Sequence, residues 1–151
     1  MADTEKLGDR LEAMLKEHLG VDELVTDAEG DYPVRAGSAK YYVRLDDAEP
    51  PVVHVYAQIL VGVSASAKLY ETLNAVNGHI TFGRMFHQDE TVFAATELMA
   101  DSLDAGELAA SCRSIAELAD HYDDLFKATF GGRRQYDDSD QVGPENDAAG
   151  A

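Results

Sequence analysis

The sequence predicts an α+β domain in which a five-stranded antiparallel sheet packs against three helices, in the order α-β-β-β-α-β-β-α. The first observation is the segment 50–63, whose Val, Ile and Tyr content between prolines and a glycine is typical of a β-strand. The second is a pair of segments near the ends of the chain, 3–19 and 104–130, in which apolar residues recur at helical spacing. One alternate set of the strand is wholly apolar and is expected to be core: Val53, Val55, Ala57, Ile59 and Val61.

The first half of the chain predicts one helix and three strands. Apolar side chains from Leu7 to Leu19 form one face of the helix. Two short strands, Tyr32–Ala36 and Lys40–Asp46, precede the strand at 50–63. Because the turns between these strands are short, we expect them to form an antiparallel meander.

The second half predicts a middle helix followed by a hairpin. Ser64 or Ser66 caps the middle helix, which runs to about Asn77. Residues 80–87 and 91–99 then read as the two strands of the hairpin. Both strands carry apolar residues in both alternate sets, which indicates burial on two faces or contact with a partner.

The last helix is the best-marked element of the sequence. Asp104 caps it, and it ends at Phe130, before two glycines. At 1.5 Å per residue it is roughly 38 Å long, enough to cross the whole sheet. The segment 133–151 has almost no bulky apolar residues and predicts a disordered acidic tail. The folded domain is therefore expected to span residues 1–132.

Charge and composition exclude several classes of partner. The formal net charge is −17, from 29 acidic and 12 basic side chains. This argues against binding nucleic acid or an anionic membrane surface, both of which attract clusters of Lys and Arg. Solubility is the simplest explanation of the acidity, and the alternatives are adaptation to a salt-rich cytosol or binding of a basic partner. The N-terminal residues have no apolar signal core and no window is apolar enough to span a membrane, so we expect a cytoplasmic protein.

Catalytic, cofactor-binding and metal-binding patterns are not found in the sequence, and we expect none of these sites. His54 and His87 lie on predicted strands and, with Asp89 or Glu97, could form a metal or acid–base site if the strands were neighbours. Histidines in such places are more often ordinary surface residues. Cys112, the single cysteine, falls on the inward face of the last helix and reads as a small buried apolar residue.

The apolar surface of the predicted sheet is more informative than its polar residues. Three helices cover only one face of a five-stranded sheet well, so side chains on the other face need cover from a partner. A homodimer is the simplest source of that cover, and the alternative is an N-terminal helix that covers more of the sheet. We expect the partner or dimer surface to include Tyr42, His54, Tyr56, Gln58, Leu69, Leu73, Phe82 and Phe86.

Several motifs together resemble the YbjN-type domain, whose fold is similar to that of type III secretion chaperones. The strand at 50–63 precedes a helix that ends in L-N-A-V-N at Leu73–Asn77. The strand pair at 80–99 and the ending F-G-G at Phe130–Gly132 match as well, so the resemblance covers about residues 5–132. It implies a small, acidic, homodimeric protein without enzymatic activity or cofactor, which binds an extended segment of a client protein.

Three functions follow from these observations. The first is a chaperone-like or adaptor protein that binds client segments as a homodimer. The second is a regulatory domain, of the sensory transduction type described for YbjN-type proteins, that binds a small molecule or a signalling partner. The third is an enzyme that uses His54, His87 and nearby carboxylates.

Overall fold

The computed structural model describes residues 2–134 and 145–148. Within these residues the chain forms three helices and six strands, and none of the helices is both long and apolar enough to cross a membrane. The elements are α1 (Ala2–Leu19), β1 (Tyr32–Ala36), β2 (Ala39–Asp46), β3 (Val52–Val61), α2 (Ala67–Asn77), β4 (Arg84–Gln88), β5 (Thr91–Met99), α3 (Ala105–Phe130) and β6 (Asn146–Asp147).

All six strands belong to a single sheet with the order β4-β5-β3-β2-β1-β6. The meander of β1, β2 and β3 and the hairpin of β4 and β5 are antiparallel, as predicted, and β5 lies antiparallel to β3. The sheet is nevertheless mixed, because β6 runs parallel to β1. The prediction of a five-stranded antiparallel sheet is therefore wrong in the number of strands and in describing the sheet as wholly antiparallel.

The additional strand comes from the segment that the sequence predicts to be a disordered tail. Asn146 pairs with Val34, and Asp147 pairs with Arg35. At the start of the same segment, Arg133 exchanges two backbone hydrogen bonds with Val61, at 2.7 and 2.8 Å. Sequence reasoning missed these contacts because they are made mainly by polar and backbone groups, which leave no apolar periodicity. Residues 135–144 and 149–151 lie outside the described part of the chain.

Two glycines explain local features of the chain path. Strand β4 begins at Arg84 and not at residue 80, because Gly83 has a φ of +89° and a Cβ there would stand 3.0 Å from the Ala95 carbonyl oxygen. The chain bends at this point and pairs only after it. At the end of the F-G-G motif, a Cβ on Gly132 would lie 2.6 Å from the Val61 carbonyl oxygen. Only glycine allows the chain to approach β3 so closely.

Strand β3 supplies the centre of the core, with one shift from the predicted pattern. Val53, Val55 and Ala57 are fully buried, as expected. The pairing with β5 shifts between Gln58 and Leu60, which is typical of a β-bulge. As a result Leu60 is buried together with Ile59, and Val61 is only half-buried.

The three helices pack on one face of the sheet. Helix α3 crosses β2, β3 and β5, α1 packs against α3, and α2 packs against β4. The α1 leucines Leu11, Leu15 and Leu19 and the buried thiol of Cys112 belong to this one core. Helix α1 therefore adds to the same layer and, across residues 2–134 and 145–148, no helix covers the opposite face of the sheet.

The helix caps follow the sequence. The Ser66 hydroxyl accepts a hydrogen bond from the Leu69 N–H at 3.1 Å, and Asp104 accepts one from the Glu107 N–H at 3.0 Å. At the end of α2, the Asn77 side chain pairs with the backbone of Met85 in β4. The amide oxygen accepts from the Met85 N–H at 2.7 Å, and the amide nitrogen donates to the Met85 carbonyl at 3.0 Å. The L-N-A-V-N motif thus fixes the first residues of β4 to the preceding helix.

Replacing Asn77 with Ala should destabilise the domain by about 1 kcal/mol, because two backbone groups of Met85 lose their partner. Asn74→Ala, on the exposed surface of the same helix, serves as the matched control and should change stability by less than half as much. Urea denaturation of the three proteins measures both effects. Equal destabilisation by the two substitutions would contradict the role of the Asn77 amide.

Candidate functional site

The face of the sheet away from the helices, called the open face below, collects the side chains that alternate with the core. Register brings them together in rows: Tyr42 pairs with Tyr56, His54 with Glu97, and Phe86 with Phe93. The open face consists of Tyr42, Arg44, His54, Tyr56, Gln58, Arg84, Phe86, Phe93, Ala95 and Glu97.

Two stacked aromatic pairs lie on the open face. The rings of Tyr42 and Tyr56 have centroids 5.2 Å apart, and those of Phe86 and Phe93 are 5.3 Å apart. Both arrangements are nearly parallel, with interplanar angles of 18° and 20°. All four side chains are only half-buried, although each carries a large apolar surface. Large apolar surfaces left uncovered in this way are typical of protein contact sites.

A buried carboxylate fixes the first aromatic pair. Asp31 is 1% exposed and accepts hydrogen bonds from Arg44 Nε at 2.5 Å, from Arg44 Nη2 at 2.8 Å and from the Tyr56 hydroxyl at 2.6 Å. Burial, reinforced by the bond to Asp31, raises the pKa of Tyr56, so its hydroxyl remains a donor at neutral pH. The Tyr56 ring is therefore held in one orientation before any partner binds.

The second aromatic pair borders an ion-pair network. Arg84 Nη1 donates to Glu97 Oε2 at 2.6 Å, and its guanidinium lies 5.2 Å from the centre of the Phe86 ring. His54 stands between two carboxylates, 3.6 Å from Glu97 and 3.4 Å from Asp46. Arginine side chains thus bring positive charge onto the face but are themselves neutralised by neighbouring acids.

A cleft of about 440 Å³ on the open face is lined by Tyr56 of the first aromatic pair and by both rings of the second. Its floor includes Tyr56, Phe93 and Ala95, and Asp46, Asp47 and Asp89 are exposed carboxylates around it. The cleft therefore combines an apolar floor with a rim on which acidic side chains predominate.

The structure distributes the predicted surface residues over three places. Leu69 and Leu73 are buried in the core and do not belong to the exposed surface to which the sequence assigned them, because α2 turns its apolar face onto the sheet. Phe82 is 74% exposed and lines a different cleft, of about 330 Å³, beside β5 and α3. Five residues lie together on the open face: Tyr42, His54, Tyr56, Gln58 and Phe86.

The two histidines considered for catalysis do not share a site. His54 lies on the open face opposite Glu97, whereas His87 pairs with the buried Val92 and faces the helices. There the His87 Nε2 atom lies 2.6 Å from the Val63 carbonyl oxygen. Because β5 separates their strands and their side chains point to opposite sides of the sheet, the two imidazoles cannot act on one substrate.

Asp31 is the residue of this face that sequence reasoning missed. It stands at the end of a turn in which Asp27, Glu29 and Asp31 lie close together. Within residues 2–134 and 145–148, this is the one cluster of acidic residues or histidines with a spacing that could hold a metal ion. Both Asp31 oxygens already accept hydrogen bonds from Arg44, so this carboxylate is occupied by contacts within the protein and is not available to a cation. The alternation of Arg44 with Tyr42 was the available signal that an arginine belongs to the face.

Arg84 should stabilise the fold through Glu97 only above acidic pH. The Arg84 hydrogen bond is the main cause of a lowered Glu97 pKa, with burial opposing it. A carboxyl group whose pKa is lower in the folded than in the unfolded protein contributes stability at pH values above its unfolded pKa. This contribution is lost as the pH falls through its folded pKa.

We therefore expect Glu97→Gln to lower the melting temperature by about 1–2 °C at pH 7, the modest effect of a partly exposed pair. The difference from the wild type should shrink as the pH falls towards 3, because protonation of the carboxyl group removes the charge that pairs with Arg84. Thermal scans at both pH values measure this, with Glu71→Gln on the exposed surface of α2 as the control. A difference that is as large at pH 3 as at pH 7 would contradict the charge-based explanation.

Comparison with known proteins finds a matching family and solved structures with a similar fold. Over residues 5–138 the chain matches a family model described as TY-Chap1, T3SS (YopN, CesT) and YbjN peptide-binding chaperone 1. No curated relative matches the sequence.

Three solved structures are similar in fold. The ExsC-ExsE complex matches with a TM-score of 0.60 and 20% identity, over 81% of this chain and 94% of that chain. The HopA1-SchA chaperone-effector complex matches with a TM-score of 0.62 and 10% identity, over 78% and 94%.

The third structure is the Yersinia pestis type III secretion chaperone SycH in complex with a fragment of YscM2. It matches with a TM-score of 0.54 and 16% identity, over 73% of this chain and 97% of that chain. Since the family model spans most of the sequence, the chain belongs to the family of type III secretion and YbjN peptide-binding chaperones.

Proposed function

We propose that the protein is a non-enzymatic chaperone or adaptor that binds an extended segment of a client protein on its open face. The observation that carries this proposal is the pair of aromatic stacks, Tyr42–Tyr56 and Phe86–Phe93, left half-exposed on the open face. Three of these rings, Tyr56, Phe86 and Phe93, line the 440 Å³ cleft. An extended chain places alternate side chains on one side, which suits a row of such surfaces along a sheet.

The charge of the site favours a basic client segment. Arg44 and Arg84 are already paired with Asp31 and Glu97, so they offer little net attraction for an acidic ligand. The exposed carboxylates at the rim and the net charge of −17 instead attract Lys and Arg. We therefore propose that the client segment alternates apolar residues, which occupy the cleft, with basic residues, which meet the rim.

Phe86→Asp should lower the capture of client segments about tenfold, because it places a carboxylate in the apolar contact. Leu125→Asp is the matched control, since Leu125 is 53% exposed on α3, on the other side of the sheet. The immobilised protein would be incubated with cell lysate and then treated with protease, so that only the bound segment survives for mass spectrometry. Raising the salt concentration should release basic segments.

Two results would reject the proposal. The first is identical capture by wild type and Phe86→Asp. The second is protection of whole folded domains in place of short segments. Recovery of acidic segments would leave the site in place and overturn the charge preference.

We further propose that the protein is a homodimer. Phe82, at 74% exposure, is the most exposed large apolar side chain among the residues that the structure describes, and the cleft of about 330 Å³ beside it is lined mainly by small and apolar groups. A second copy presenting the same patch would cover both.

Light scattering after gel filtration should give twice the chain mass for wild type and for Leu125→Ser. Phe82→Ser should give the mass of one chain, because it removes the apolar anchor of the contact. A monomeric wild type would reject the dimer, and a dimeric Phe82→Ser would reject this surface.

A regulatory domain that binds a small molecule is the second candidate. The cleft volume of about 440 Å³ lies within the range of small-molecule sites, about 300–1,000 Å³. A metabolite that raises the melting temperature of wild type but not of Phe86→Asp would favour this function. Peptide segments that survive the protease treatment favour the chaperone.

A further inference from the structure

Strand β6 is too short to be held by strand pairing alone. Among the residues that the structure describes, two of this strand pair with β1, and one further backbone bond runs from the Ala148 N–H to the Arg35 carbonyl oxygen, at 2.9 Å. Isolated short strands are marginal in water. The side chains of residues 145–148, called the C-terminal segment below, must therefore contribute most of the contact.

Asn146 provides the central contact of the C-terminal segment. Its side chain is 4% exposed and uses both ends of the amide. The oxygen accepts from the Val25 N–H at 2.7 Å, while the nitrogen donates to the carbonyl oxygens of Val25 at 2.8 Å and Pro33 at 2.9 Å. An aspartate cannot make both donations, and an alanine would remove all three of these hydrogen bonds. The site therefore selects asparagine.

Glu145 adds a second, charged contact. Its carboxylate lies 2.6 Å from Arg35 Nε and 3.2 Å from Lys40 Nζ. The Lys40 side chain is only 6% exposed, and its ammonium group lies 5.6 Å from the centre of the Tyr42 ring. Two of the few cations of an acidic chain thus converge on this one glutamate, at the border of the open face.

We propose that the edge of β1 is a peptide-docking site selective for an extended Glu-Asn segment, and that the chain fills this site with its own C-terminal segment. Val25, Pro33, Arg35 and Lys40 form the site. An extended peptide with the same Glu-Asn pair competes with the C-terminal segment for it. The inference does not depend on client binding to the open face, because every contact that carries it lies on β1 and its neighbours.

The covalent link gives the C-terminal segment a large advantage over a free peptide. A short connection holds a segment near its site at an effective concentration of the order of millimolar. A peptide added in trans therefore binds the wild-type chain only weakly. A substitution that undocks the C-terminal segment makes the site available.

The test uses the full chain, its Asn146→Ala variant and a fluorescent peptide with the sequence of residues 143–149. Asp147→Ala is the matched control, because Asp147 is the exposed neighbour of Asn146 on the same strand. Fluorescence anisotropy should show the peptide binding Asn146→Ala at least about tenfold more tightly than wild type or Asp147→Ala. A peptide with Ala in place of Asn146 should not bind any of them.

Amide hydrogen exchange checks the docking directly. The Val25 and Ala148 amides should exchange faster in Asn146→Ala than in wild type and Asp147→Ala. Unchanged exchange at Val25, or equal peptide affinity for all three chains, would overturn the proposal. If Asn146→Ala does not fold, Ala148→Pro replaces it, because it removes the N–H that bonds Arg35 and so weakens the docking of the C-terminal segment without altering Asn146. Peptide affinity and the exchange of the Val25 amide then decide.

Discussion

The apolar set of β3 meets α3 on one side of the sheet, and α1 and α2 complete the same layer. Every helix that packs there buries apolar area, and each adds to the stability of the domain through that burial. The consequence for the opposite side is direct. A sheet of this width has two faces, and with all three helices on one of them the other must be stabilised by its own side chains.

The open face is stabilised by contacts between side chains of the sheet itself and of the adjoining turn. Tyr56 is held by Asp31, the Phe86 ring lies beside the Arg84 guanidinium, and Arg84 is neutralised by Glu97. These bonds keep large aromatic surfaces ordered without covering them. A preorganised surface loses little side-chain entropy on binding, so the same contacts that stabilise the free protein also favour recognition of an extended chain.

The two edges of the sheet are held by different contacts. At one edge, β4 is fixed to α2 by the Asn77 amide. At the other edge, the side chain of Asn146 bonds the backbone of Val25 and Pro33, and Glu145 bridges Arg35 and Lys40. Unpaired strand edges attract other chains. The C-terminal segment reduces this exposure along β1, which would otherwise be the last strand at this edge.

Periodicity in the sequence by itself determined the three helices, the meander, the hairpin and the inward residues Val53, Val55 and Ala57, because burial of an apolar face imposes a repeat of 2 or 3.6 residues. Only the tertiary structure decided the rest. Leu69 and Leu73 lie in the core because α2 faces the sheet. His87 and His54 do not share a site because their side chains lie on opposite faces of the sheet. Asp31 and Asn146 became structural centres because each makes several hydrogen bonds to residues distant in the sequence. Such contacts have no repeat, so no local pattern could have revealed them.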